Sequence, residues 1–142
     1  MQSTDLALAL GSGFVLRKFT LDYRDLTTAG TSQAIPLFTM GPRDAIMGVR
    51  IKHTTRYLGG SLASMTVSVG SAIDGAAGYA TAFDIFQALA DTALQMSQCF
   101  KNGTAAAAGQ AVNATFTGSH NVNTATAGQV EIDVLIMRVS TP

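Results

Sequence analysis

The sequence has few residues of the kinds that build cross-links or catalytic centres. Its 142 residues include one cysteine, Cys99, which excludes a disulfide within the chain and which we expect to be a small buried hydrophobic residue. One cysteine and two histidines cannot complete a standard zinc site, so we predict no metal and no other cofactor. Tryptophan is absent and only three tyrosines are present, which leaves few rings to stack on sugars.

Charge is also sparse. Charged side chains make up 13% of the sequence, against a usual share of about 25%. Nine basic residues balance nine acidic ones, so no net field draws the chain to nucleic acid or to an anionic membrane. Met1–Leu10 lacks the basic residues of a secretory signal, and no run reaches the roughly 18 apolar residues of a membrane span. We therefore expect a soluble, unprocessed protein, and the low charge favours a surface covered by neighbouring subunits.

The sequence does contain a series of short stretches in which apolar and polar residues alternate. The clearest is Ser61–Gly70, where alanine, methionine and valine alternate with leucine, serine and threonine. The longest is Ala45–Tyr57, whose polar face is basic. Because three residues, Leu58-Gly59-Gly60, separate the two, we predict that they form a central antiparallel hairpin. Further predicted strands are Phe19–Tyr23, Gln33–Phe38, Val112–Phe116 and Gln129–Val139.

These strands predict the fold class. Pro36 lacks an amide hydrogen and favours an edge position for its strand, and Ser71–Gly78 is predicted to be a loop. Tyr79–Lys101 fits both helical and extended patterns, and we favour short extended pieces with at most a short helical turn within 82–98. We predict an all-β fold, an antiparallel, jelly-roll-like β-sandwich of about eight strands, with an N-terminal arm (1–13) and one domain (14–142).

Candidate catalytic residues are few. His53 lies on the apolar face of its predicted strand and should be a core or interface residue, whereas His120 lies in a polar loop. The sequence has no Gly-x-Ser-x-Gly element to present a nucleophile, and its aspartates are too scattered for a calcium loop. We predict that the protein is not an enzyme and has no catalytic, cofactor-binding or metal-binding residues.

Candidate interface residues come from three parts of the chain. The arm is apolar at Leu6, Leu8 and Leu10, and it should dock on the body or on a neighbouring subunit. The second face of the last strand becomes apolar halfway along, which predicts that it is covered on both sides. The sequence predicts a basic side with Arg43, Arg50, Lys52 and Arg56 and an acidic side with Asp74, Asp84 and Asp91. These are either solvated patches or charges that set register in an assembly. The candidate interface residues are Leu6, Leu8, Leu10, Arg50, Lys52, Arg56, Leu135 and Met137.

Seven stretches of strand and turn span most of residues 19 to 139, namely Phe19–Leu26, Gln33–Leu37, Val49–His53, Gly60–Gly70, Phe83–Phe86, Val112–Gly118 and Thr126–Val130. On these stretches the chain resembles the jelly-roll capsid decoration, or cement, proteins of tailed bacteriophages. The resemblance implies a jelly-roll sandwich without enzymatic activity that binds the outer surface of a capsid lattice as an oligomer.

The predicted function follows from that resemblance. We expect a virion structural protein, made in the host cytoplasm, that bridges major capsid protein subunits as a homodimer or homotrimer, without direct contact to nucleic acid or membrane. One alternative is a structural protein of the phage tail or head–tail appendage. Another is a carbohydrate-binding β-sandwich module, which the missing tryptophan disfavours.

Overall fold

Two antiparallel β-sheets pack face to face in the computed structural model. It describes residues 5–9, 14–41, 44–88, 91–96 and 109–138, with residues 5–9, 93–96 and 138 as backbone only. Within these ranges, two short 3-10 helices, Tyr23–Asp25 and Val122–Thr124, lie in the connections. The strands in the described ranges are β1 (Asp5–Ala9), β2 (Phe14–Asp22), β3 (Ser32–Thr39), β4 (Asp44–Leu58), β5 (Met65–Ser71), β6 (Gly75–Asp84), β7 (Asp91–Met96), β8 (Ala111–Gly118) and β9 (Ala127–Arg138).

The strands pair in a nested order along the sequence, so that an early strand pairs with a late one and the middle strands pair with each other. One sheet has the order β1-β2-β9-β4-β7 and the other the order β3-β8-β5-β6. Strand β2 therefore pairs with β9, β3 with β8, β4 with β7 and β5 with β6, as if one long hairpin had been rolled up. This is the arrangement of a jelly roll, and β1 adds a ninth strand at one edge. The prediction of an all-β, jelly-roll-like sandwich is confirmed.

The core lies between the two sheets, where each strand contributes every second side chain. The rings of Phe19 and Phe38 stack with their centroids 5.9 Å apart, joining β2 to β3. Tyr57 is fully buried, donates a hydrogen bond to the carbonyl oxygen of Leu21 over 3.2 Å, and packs against Phe116. Since each fully buried large apolar side chain contributes about 1.5–3 kcal/mol, such a core can stabilise the domain without covalent cross-links.

Several local predictions hold in detail. Strands β3, β4, β8 and β9 occur where alternation predicted them, and β3 is an edge strand whose register shifts directly after Pro36. His53 is 1% exposed in the core, and His120 is exposed. The described part of 82–98 is extended or bent and contains no helical turn. Cys99 lies outside the described residues.

Two local predictions are wrong. Strands β4 and β5 do not form a hairpin, because β4 pairs with β7 and β9 while β5 pairs with β6 and β8. The connection between them contains a turn closed by a hydrogen bond from the Leu62 amide to the Gly59 carbonyl, and it carries the chain from one sheet to the other. Ser71–Gly78 is not a loop throughout, since β6 already begins at Gly75 after a turn over residues 72–74.

The connections at one end of the sandwich are tied together by hydrogen bonds. Backbone amides of Val122 and Thr126 donate to the carbonyl oxygens of Gly30 and Leu58, over 2.8 and 2.7 Å. The side chain of Gln33 accepts from the amides of Thr27 and Thr28 and donates to the Asp25 carbonyl. The loops at this end are therefore fixed in position relative to the sheets. Among the described residues, no helix is long and apolar enough to cross a membrane.

Candidate interaction surface

The outer face of the five-stranded sheet consists of side chains in parallel rows across β2, β9 and β4. Residues directly opposite one another in antiparallel strands share a face, so the strand register defines these rows. The central row is Lys18, Asp133 and Arg50, and the rows on either side of it are Leu16, Leu135 and Gly48, and Thr20, Glu131 and Lys52.

The centre of this outer face is a buried carboxylate between two cations. Asp133 is 7% exposed, its Oδ2 lies 3.0 Å from Nε of Arg50, and its Oδ1 lies 3.6 Å from Nζ of Lys18. Neither Arg50 Nε nor Asp133 Oδ1 has a hydrogen-bond partner among the described residues, so these contacts are ion pairs without hydrogen-bond geometry. Both cationic side chains remain about 41–42% exposed, which screens their interaction and leaves them available to a partner.

The predicted basic side is in fact a face of mixed charge. Strand β9 lies beside β4 and places Asp133 opposite Arg50, and Glu131 opposite Lys52. The sequence of β4 alone cannot reveal this, because the acidic residues come from a strand some 80 positions away, between residues 50 and 133. The predicted acidic side is likewise divided, since Asp74 and Asp84 lie at opposite ends of β6.

One end of the outer face is apolar. Phe14 at the start of β2 is 36% exposed and is the register partner of Met137, and Leu16 is the partner of Leu135. Leu16, Leu135 and Met137 are half-buried. Residues Leu6 and Leu8 of β1 are the register partners of Lys18 and Leu16, so β1 continues the same rows to the edge of the sheet.

The predicted interface residues are therefore largely brought together. Arg50, Lys52, Leu135 and Met137 lie on the outer face of the five-stranded sheet, with Leu6 and Leu8 in register beside it. Leu10 lies outside the described residues. The sequence did not identify five further residues of this face, Phe14, Leu16, Lys18, Glu131 and Asp133. The alternation of polar and apolar residues in their strands is visible in the sequence, but the pairing of β2 and β4 with β9 is not.

Arg56 is placed apart from the other basic residues of β4. Its Nε donates a hydrogen bond to the carbonyl oxygen of Phe86, and its guanidinium lies 4.6 Å from the centroid of the Phe86 ring. It therefore clamps the β6–β7 connection onto β4, and its role at an interface stays a prediction.

An open cleft of about 290 Å³ lies at the polar end of the sandwich. Its floor includes the last row of the same sheet, in which Gln129 is the register partner of both Asp22 and Thr55. A capping box holds the short helix after β2, because Asp22 accepts from the Arg24 amide while Asp25 accepts from the Asp22 amide. The cleft is lined by Asp22, Tyr23, Arg24, Thr55, Thr126, Ala127, Gly128 and Gln129.

Charge in this cleft is neutralised internally. Nη2 of Arg24 lies 2.6 Å from Oδ2 of Asp22, and this side-chain hydrogen bond lowers the pKa of Asp22 from its ordinary value. The hydroxyl of Thr54 in β4 donates a hydrogen bond to the carbonyl oxygen of Gln129 in β9 over 3.1 Å, which holds these two strands together at the cleft. The residues that line the cleft thus carry hydroxyl, amide and guanidinium groups and include one tyrosine, and their formal charges sum to zero.

The described residues contain no group of three or more His, Cys, Asp or Glu side chains that could hold a metal ion. The buried imidazole of His53 has no hydrogen-bond partner for either ring nitrogen among those residues. The described residues therefore form a β-sandwich whose outer face has an apolar end and a row of mixed charge, with a small polar cleft at the other end.

Comparisons with known proteins bear on the fold. The sequence matches no protein-family model, and no curated protein is significantly similar to it. Among solved structures, the chain superposes on one from the capsid asymmetric unit of cyanophage Pam1 with a TM-score of 0.63 and 19% sequence identity. The match covers 94% of this chain and 92% of that chain, so the likeness extends over the whole sandwich.

Proposed function

We propose that this chain is a non-enzymatic structural protein of a tailed-bacteriophage virion that binds the outer surface of the capsid and bridges neighbouring major capsid protein subunits. The observation that carries the proposal is the shared fold with a chain of a cyanophage capsid asymmetric unit over 94% of this chain.

The outer face of the five-stranded sheet is the docking surface in this proposal. Its apolar end, with Phe14 and Met137, would contribute buried area, and the exposed cations of the neighbouring rows would contribute electrostatic attraction and register. Phe14 is eight positions from Asp22 along β2, so the apolar end is about 26 Å from the cleft at about 3.3 Å per residue. Contact at the apolar end would leave the cleft accessible, whereas the row of Lys52 and Glu131 lies next to the row of Gln129.

The stabilising mechanism is mass action. A protein that binds the closed lattice more tightly than separated subunits stabilises the closed form by an amount that grows with its concentration. Opening of the shell under internal DNA pressure would then require its contacts to break as well. A homodimer or homotrimer would bridge subunits more tightly than one copy, because linked contacts act as a multivalent unit.

The test is reconstitution on purified capsids that lack the protein. We expect the added chain to sediment with the particles in a saturable amount and to raise the temperature at which the particles release their DNA. A cryo-EM reconstruction should place the β2, β9 and β4 rows against capsid subunits. Attachment to tails alone would contradict the proposal in favour of the appendage alternative, and absence of saturable binding to either would overturn both.

Light scattering coupled to chromatography tests the oligomer separately. A dimer or trimer at micromolar concentration is expected, and a stable monomer would contradict that part of the proposal.

A further inference from the structure

We propose that the cleft at the polar end of the sandwich binds a neutral saccharide. This goes beyond the virion role and does not depend on it. The lining residues come from three separated parts of the chain, 22–24, Thr55 and 126–129, and the structure brings them to one place. At about 290 Å³ the cleft is close to the lower end of small-molecule sites, which run from about 300 to 1,000 Å³, and it suits a single sugar ring.

The chemistry of the lining selects the class of ligand. The Asp22 carboxylate and the Arg24 guanidinium neutralise one another, which removes the attraction for a free anion or a cation. Arg24 is 55% exposed in its side chain and uses only one side of its planar fork on Asp22, so further N–H groups remain to donate to ligand hydroxyls. Gln129, Thr55 and Thr126 add an amide and two hydroxyls that both donate and accept.

The apolar element of the cleft is Tyr23. Tyr23 is half-buried and packs in part against the hydrophobic core, and the Arg24 guanidinium lies 5.8 Å from the centroid of its ring. A pyranose presents C–H groups on one face and hydroxyls around its rim, and a tyrosine ring bordered by amide, hydroxyl and guanidinium groups matches both. The capping box fixes the backbone of 22–25, so the site is formed before the ligand arrives.

The experiment is an NMR titration of the ¹⁵N-labelled full chain with glucose, galactose, mannose and N-acetylglucosamine. We expect saturable shifts confined to the amides of 22–24, Thr55 and 126–129 with at least one of these sugars, with a dissociation constant on the order of millimolar for a ligand of this size. Tyr23→Ala should raise that constant at least tenfold, whereas Tyr23→Phe should retain binding because the ring remains.

Matched variants keep the outcome interpretable. Gln129→Ala should also weaken binding, and Thr117→Ala, on the outer side of the other sheet, should leave it unchanged. The same spectra report whether each variant is folded. Shifts that never saturate, shifts outside the cleft, or tighter binding of glucuronate than of glucose would each overturn the proposal. Capsid attachment by the Tyr23→Ala variant is expected to be unchanged, so failure here and failure of the virion role are separable.

Discussion

Gly128 lies directly against the ring of Tyr57: a Cβ atom built on Gly128 would be 2.3 Å from Cγ of that ring. Gly128 also has a φ of +137°, a backbone conformation that L side chains rarely adopt. Gly128→Ala should therefore lower the free energy of unfolding by about 2–5 kcal/mol, since overpacking adds to backbone strain. Urea denaturation of the variant and the wild type measures this difference in the free energy of unfolding.

Gly75 provides the matched control for that substitution. Its φ is +92°, but no atom lies within 4 Å of a Cβ built there. Gly75→Ala should cost only the backbone strain, about 1–2 kcal/mol. Equal losses for the two variants would show that contact with Tyr57 is not what restricts position 128.

Removal of the carboxylate at Asp133 should destabilise the protein by leaving two cations facing each other. Because Lys18 and Arg50 are about 41–42% exposed, we expect a modest loss of about 1–2 kcal/mol for Asp133→Asn, larger in low salt than in high salt. Glu131→Gln, two residues away on the same strand, should change stability by less than about 0.5 kcal/mol. A salt-independent loss in Asp133→Asn would show that packing, and not charge, is responsible.

His53 should be replaceable with a gain in stability. Both of its ring nitrogens are buried without a hydrogen-bond partner among the described residues, and leaving a polar group in that state costs about 1–3 kcal/mol. His53→Leu should raise the urea midpoint, whereas His120→Leu at the surface should leave it nearly unchanged. A lower midpoint in His53→Leu would contradict this explanation and point to a role for the imidazole.

Stability should fall at alkaline pH. Burial, with a hydrogen bond to Asp74, raises the pKa of Tyr79 to about 12, and burial also raises the pKa of Tyr57 well above its usual range. Since the unfolded value is about 10, the neutral tyrosines stabilise the folded state fully below pH 10. The contribution of Tyr79 is lost as pH rises from about 10 to about 12, and that of Tyr57 is lost progressively as pH rises above about 10, by at most about 1.4 kcal/mol per pH unit for each group.

Denaturation midpoints at pH 9 and pH 11, with tyrosinate absorbance followed in parallel, measure this effect. Tyr79→Phe should flatten the decline, because one of the two groups no longer titrates. An unchanged slope in that variant would assign the pH dependence to other groups.

Capsid attachment should depend on Lys52 more than on net charge. Lys52→Gln and Thr117→Glu both lower the net charge by one, but they lie on the outer faces of different sheets. Lys52→Gln should weaken attachment more in low salt than in high salt, and Thr117→Glu should leave it close to that of the wild type. Equal effects of the two would show that attachment responds only to the overall charge.

The positions of the strands could be predicted from the sequence, but the partner of each strand in the sheets could not. Alternation is a local property, so β4 and β9 could be placed from the residues of each strand alone. Pairing depends on contacts between distant parts of the chain, which is why β4 and β5, although consecutive, belong to different sheets. The same limit concealed Asp133 beside Arg50, and it concealed the cleft, whose Tyr23 and Gln129 are over 100 residues apart.

The nested pairing of strands also limits when the chain can fold during its synthesis. Phe14 of β2 pairs with Met137 of β9, some 120 positions later in the sequence. Strand β2 can pair early with β1, but its second partner β9, the partner β8 of β3 and the partners of β4 are all synthesised later. Contacts of such high sequence separation form slowly, so a nascent chain would carry incompletely paired apolar strands until β8 and β9 have been synthesised.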